Sequence, residues 1–223
     1  MIGFYDYTVL LTYLSLLSAV GGIALAMTGH PILATIGLLL CGLCDMFDGK
    51  VARTKKNRSA EDRAFGIQID SLSDLVAFGV LPAVIVLSLC HGCWYAYVIA
   101  PLYVLAGLIR LAYFNVTEEL RQKETDECRS AYSGLPITSA ALVFPIFYCG
   151  VAVYCQCSFG RIEPYRDLFS GTGFGVALCI ITALTGLCFV LPFHIRKPRA
   201  KELLMLLGVG VMIAVVLLLA VFL

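Results

Sequence analysis

The sequence predicts an all-α, polytopic membrane bundle of about seven transmembrane helices, and three observations carry that prediction. Of its 223 residues 60% are hydrophobic and only 14% charged, with a mean hydropathy of +0.91, far from the balance of a water-soluble domain. Seven apolar stretches recur along the chain, near the roughly 20 helical residues that cross a hydrocarbon layer. The alternating ten-residue pattern of a membrane β-barrel is absent.

The stretches run from Thr8 to Thr28, Pro31 to Arg53, Gly66 to Cys90, Trp94 to Asn115, Gly134 to Tyr154, Gly171 to Phe193 and Leu203 to Leu223. The first has no basic flank and no distinct small-residue cleavage site, so it is expected to remain as a helix rather than to be removed as a signal peptide. Pro101, Pro136 and Pro145 fall within or at the start of spans, where proline bends helices. Trp94, Tyr95 and Tyr97 suit a membrane interface.

The net charge of +1 conceals a lopsided distribution. Connections near His30, His91 and 156–170 carry two basic residues, Arg161 and Arg166, whereas the side that holds the connections after Lys50, Asn115 and His194 has the other fourteen, Arg110 at the end of the fourth span included. The positive-inside rule makes the second side cytoplasmic. Six of these residues lie between Lys50 and Arg63, a loop suited to anionic lipid. Of the ten cysteines, Cys41, Cys44, Cys149, Cys179 and Cys188 lie within spans as small apolar residues, while Cys90 with Cys93 and Cys155 with Cys157 flank outer loops.

Four aspartates interrupt this apolar pattern. Only 14 residues, Pro31 to Cys44, precede Asp45, and only 16, Leu75 to Cys90, follow Asp74. At 1.5 Å per residue those runs reach about 21 and 24 Å, short of a full crossing, so both helices must continue into their acidic ends. Asp45, Asp48, Gly49 and Ala52 then share a helical sector of about 100°, and Gly66, Asp70 and Asp74 one of about 80°. Each helix thus carries one acidic stripe, with small residues that leave room for a ligand or a close helix approach.

Carboxylates at that depth require protons or cations. An aspartate-rich, all-oxygen site suits magnesium, manganese or calcium; His30, His91 and His194 lie elsewhere, which argues against zinc. The competing reading is an inert ion-pair network with Lys50, Arg53 and Arg110. Arg110 follows a 17-residue apolar run, Cys93 to Ile109, at the same depth as the acids; it fits an aspartate or an anionic substrate equally well.

Taken together, Asp45-Met-Phe-Asp48-Gly49-Lys-Val-Ala52-Arg53 and Gly66-Ile-Gln-Ile-Asp70-Ser-Leu-Ser-Asp74 resemble the signature of the CDP-alcohol phosphotransferases, with all eight defining residues in order. The twelve residues from Thr54 to Phe65 make a longer loop than the common signature has. That loop, the Phe78-Gly79-Val-Leu-Pro82-Ala83 stretch, Arg110-Leu-Ala-Tyr-Phe114-Asn115 and Gly134-Leu135-Pro136 are similar to the phosphatidylserine synthase branch of bacterial and archaeal type.

The resemblance implies one membrane domain over 1–223, with its signature at 45–74, a six-helix catalytic core and an additional C-terminal helix over 203–223. It implies transfer of a phosphatidyl group from CDP-diacylglycerol to L-serine, giving phosphatidylserine and CMP, at the cytoplasmic face of the cell membrane. Asp45, Asp48, Asp70 and Asp74 would bind two Mg2+ or Mn2+ ions, Asp74 would also accept the serine proton, and Gly49, Ala52, Arg53 and Gly66 would contact the nucleotide. Arg110 and Asn115 are the candidates for gripping serine. A homodimer in membrane lipid, with no nucleic-acid partner, completes the expectation. The alternatives are the same chemistry on glycerol 3-phosphate or an inositol phosphate, which needs further basic groups, and a divalent-cation transporter, whose acids should line a path to both faces.

Overall fold

A computed structural model of the chain describes residues 7–52, 54–55, 59–124, 131–159, 173–196 and 200–222. Seven helical spans among them are long and apolar enough to cross a membrane, which makes this an integral membrane protein. A short 3-10 turn, Tyr7–Val9, leads into α1 (Leu10–Met27), and α2 follows over Pro31–Ala52. Next come α3 (Ala60–Asp74), a π-helical segment (Leu75–Val80) and α4 (Leu81–Leu89), which together form one span. The remaining helices are α5 (Trp94–Glu124), α6 (Ala140–Phe159), α7 (Gly173–Val190) and α8 (Ala200–Phe222).

The first two helices form a hairpin whose backbones approach closely. A Cβ on Gly37 would lie 3.4 Å from the Ser18 carbonyl oxygen, and the Ser18 hydroxyl donates to the Gly37 carbonyl at 3.2 Å. Gly29, at φ +88°, supplies the left-handed turn between them. Small and hydroxylated residues at this contact serve where lipid removes any hydrophobic drive for helices to associate.

The α3–π–α4 span is the central post. Phe78, Leu81, Ile85 and Val86 are fully buried, and α1, α2 and α5 all pack on this span. Tyr103 of α5 lies edge-on to Phe144 of α6, with ring centroids 5.6 Å apart, and tilted against Phe189 of α7 at 5.5 Å. By contrast α8 is exposed along most of its length and buries Ile213 and Leu217 where it meets α2 and α6.

Several ends differ from the sequence expectation. The third span begins at Ala60 rather than Gly66, because Ser59 and Asp62 form a capping box: the Asp62 amide donates to the Ser59 hydroxyl at 3.0 Å and the Ser59 amide to the Asp62 carboxylate at 3.3 Å. The fourth continues past Asn115 to Glu124, supported by the Glu118–Arg121 pair at 2.6 Å. Gly134 does not open the fifth span. It sits at φ +78°, where a Cβ would lie 3.0 Å from the Leu191 carbonyl oxygen, and the helix starts only after a 3-10 turn over Ile137–Ser139. Beside Gly134, a three-residue antiparallel ribbon pairs Ala131 with Arg196 and Ser133 with His194. The last helix spans Ala200–Phe222 rather than 203–223.

Candidate active site

The two acidic stripes face each other. Asp45 and Asp48 project from the last two turns of α2, and Asp70 and Asp74 from the last two turns of α3. Asp48 and Asp70 lie close enough across the space between α2 and α3 for their carboxyl groups to interact directly. Asp74 interacts electrostatically with the other three. Depth increases along the stripes: Gly49 is exposed, Asp45, Asp48 and Asp70 are half-buried, and Asp74 is buried. Exposure thus falls along the stripes toward Asp74, which shortly precedes the buried Ala77–Phe78 stretch of the central span.

Local structure explains the placement. The i, i+3 and i, i+4 spacings put each pair on one helical face. The Gly49 amide donates to the Asp48 carboxylate, and the Ser73 hydroxyl donates to the Thr12 carbonyl at 3.2 Å, pinning the residue before Asp74 to α1. Beyond Ala52 the Tyr7 and Thr54 hydroxyls meet at 3.1 Å, so the start of the described chain closes over the end of α2.

Two of the candidate cationic partners make other contacts. Lys50 lies over the Phe47 ring, 5.0 Å from its centroid. Arg110 is buried, donates from Nε to the Leu135 carbonyl at 3.0 Å and covers the Phe114 ring at 5.7 Å. Among the described residues, no lysine or arginine forms an ion pair with any of the four aspartates; Arg53 lies outside them. Asn115 donates from Nδ2 to the Ser71 hydroxyl at 2.8 Å, which ties α5 to the residue beside Asp70. Ala52 and Gly66 are half-buried.

Two carboxylates meet as Asp48 and Asp70 do only with a proton or a cation between them. Four such groups with no protein cation among the described residues form an oxygen-donor set that suits hard divalent ions. No three acidic, thiol or imidazole groups among the described residues already close around one point, so the acids are gathered without forming a finished cage. Sequence reasoning missed Ser71, Ser73, Tyr103 and Tyr7. The two serines sit visibly inside the Asp70-Ser-Leu-Ser-Asp74 motif, whereas nothing in the sequence signals the two tyrosines.

A family model described as CDP-alcohol phosphatidyltransferase matches residues 8–222. The chain belongs to this family. Among curated relatives of this CDP-alcohol phosphatidyltransferase, it is 39% identical over 150 residues to the CDP-diacylglycerol–serine O-phosphatidyltransferase of Saccharomyces cerevisiae, covering 65% of this chain and 53% of the relative. It is 37% identical over 139 residues to the archaetidylserine synthase of Methanothermobacter thermautotrophicus, covering 60% and 55%. With a CDP-diacylglycerol–serine O-phosphatidyltransferase of Helicobacter pylori it shares 35% identity over 121 residues, covering 50% and 42%. The chain therefore spans about half the length of the curated relatives it matches.

Proposed function

We propose that this chain transfers the phosphatidyl group of CDP-diacylglycerol to the hydroxyl of L-serine, releasing CMP, in a single membrane domain. The observation that carries the reading is the meeting of two aspartate pairs at one end of the bundle without a cationic partner among the described residues. The names of the three relatives support serine as the acceptor, since each is called a serine phosphatidyltransferase or an archaetidylserine synthase. Glycerol 3-phosphate or an inositol phosphate would bring a second phosphate.

Asp45, Asp48 and Asp70, with one oxygen of Asp74, would hold divalent ions of the Mg2+ or Mn2+ type. When bound, such ions neutralise the diphosphate and stabilise the departing CMP. The rest of the work falls to the chain itself. Gly49, Ala52 and Gly66 would line the mouth that admits the cytidine diphosphate, their small side chains letting it approach the space between α2 and α3, and Arg53 would contact the nucleotide. The acyl chains of the donor stay in lipid beside α2 and α3, which suits a site opening at the membrane surface. The serine oxygen attacks the phosphorus that carries the diacylglycerol. A new oxygen–phosphorus bond forms, the bond from that phosphorus to the bridging oxygen of CMP breaks, and the hydroxyl proton passes to Asp74. Burial beside Phe78 and Ala77 keeps Asp74 from bulk water, so the proton is taken where the substrate excludes solvent.

Asn115, held by Ser71, orients serine, and Arg110 shapes that pocket by fixing the Leu135 carbonyl and the Gly134 turn. The site opens on the cytoplasmic side, where the basic connections gather, and the chain works as a homodimer in the cell membrane.

The test is direct. Purified chain in vesicles containing CDP-diacylglycerol and Mn2+ or Mg2+ should release CMP with L-serine and form phosphatidylserine. Release of CMP with a phosphorylated alcohol but not with serine rejects the acceptor. Metal flux across sealed vesicles without any CMP release replaces the enzyme with a carrier.

A further inference from the structure

Directly after Asp74 the helix widens. Over Leu75–Val80 the backbone takes the π form, and the Leu81 amide reaches back five residues to the Val76 carbonyl. A turn of this kind accommodates one residue more than an α-turn. Four positions beyond Phe78 stands Pro82, which has no N–H, so the Phe78 carbonyl has no ordinary helical donor. An unsatisfied carbonyl in hydrocarbon is costly.

Tyr103 of α5 supplies the donor. Its hydroxyl gives a hydrogen bond to the Phe78 carbonyl oxygen at 2.7 Å, from a side chain only 2% exposed. The ring cannot swing away: Phe144 and Phe189 flank it, and Gly186 leaves just enough space, since a Cβ there would lie 3.4 Å from the Tyr103 ring. One hydrogen bond therefore joins the wide turn to the neighbouring helix where water cannot replace it.

The wide turn also sets a register. Were it to tighten to α geometry, the chain before it would rotate by about one residue, roughly 100°. The Asp70 and Asp74 stripe would then no longer point at Asp45 and Asp48. We propose that Tyr103 is a positioning residue for the carboxylate centre, its hydroxyl holding the wide turn at Phe78 and so fixing which face of α3 meets α2. The proposal rests on the reading of the four aspartates as a divalent-metal site.

The test compares wild type, Tyr103→Phe and Tyr103→Phe/Pro82→Ala, each as full-length chain in lipid or detergent. Mn2+ affinity is read from the electron paramagnetic resonance signal of the free ion, and melting temperature is read alongside. Tyr103→Phe should weaken Mn2+ binding about 10- to 100-fold, the range found when a group that orients metal ligands from behind is removed. Pro82→Ala returns an amide that can serve the Phe78 carbonyl through an ordinary helical bond, so the double variant should regain melting temperature without regaining Mn2+ affinity. Affinity that returns together with melting temperature, or a Tyr103→Phe chain that binds Mn2+ as wild type does, overturns the proposal. If Tyr103→Phe alone does not fold, the double variant decides by the same criterion. A wild-type chain that binds no Mn2+ overturns the reading of the site itself, and this proposal with it.

Discussion

Gly42 offers the sharpest test of how the bundle positions its acids. It lies in α2 one turn before Asp45, at the contact with α6, and a Cβ built there would sit 2.6 Å from the Ala141 Cβ. Ordinary contact begins near 3.4 Å, so Gly42→Ala forces the two helices about 0.8 Å apart or rolls α2 about its axis. Neither methyl is the end of a flexible side chain, so the strain must be taken by backbone. Overpacking of this kind costs about 1–3 kcal/mol, or roughly 2–12 °C of melting temperature for a chain of this size. A shift approaching 1 Å in α2 also displaces Asp45 and Asp48 relative to Asp70, and misplacement on that scale lowers turnover by up to about 100-fold.

The assay pairs thermal unfolding with CMP release for Gly42→Ala, Ala141→Gly and the double variant. Ala141→Gly removes the opposing methyl, so the double variant should recover nearly all of both losses, because the roughly 1 kcal/mol that glycine costs in a helix is moved from position 42 to position 141 and not added. A Gly42→Ala chain with wild-type stability and rate, or a double variant as impaired as the single one, refutes the contact and its effect on the site.

Other expectations follow from the same geometry. Asp70→Asn and Asp74→Asn should keep the helical circular dichroism signal and lose CMP release by about 1,000-fold or more, as removal of a group acting within a catalytic unit does; retained turnover makes the acids structural. Asn115→Ala should raise the KM for serine with little change in that for CDP-diacylglycerol, and equal changes in both reject a role in acceptor binding. Mn2+ at 100 times its Kd should stabilise the folded chain by about 2.7 kcal/mol, an increment that should shrink in Asp45→Asn. An equal increment in wild type and Asp45→Asn removes Asp45 from the site.

Much of this architecture was legible because length and chemistry constrain membrane helices tightly. The runs Pro31 to Cys44 and Leu75 to Cys90 are too short to cross alone, which required the acidic ends to be helical, and the period of 3.6 then put each aspartate pair on one face. The carboxylates meet as that arithmetic demands. What stayed hidden depends on contacts between distant segments. The contact of Arg110 with the segment before the fifth span was one such: its Nε bonds the Leu135 carbonyl, and backbone carbonyls carry no sequence label. The wide turn after Asp74 was equally concealed: Pro82 marks a missing amide, but only the fold brings the Tyr103 hydroxyl to the carbonyl it leaves unpaired. The capping residues Ser59 and Asp62 did stand in the sequence, and reading the apolar run alone started that helix too late.

The most direct measurement is a metal titration of the chelated protein. Wild-type chain stripped with excess chelator, then supplied with CDP-diacylglycerol and serine, should release no CMP until Mn2+ or Mg2+ is returned, and then in proportion to the ion bound. Undiminished CMP release under exhaustive chelation would contradict the claim that these four aspartates work by holding divalent ions.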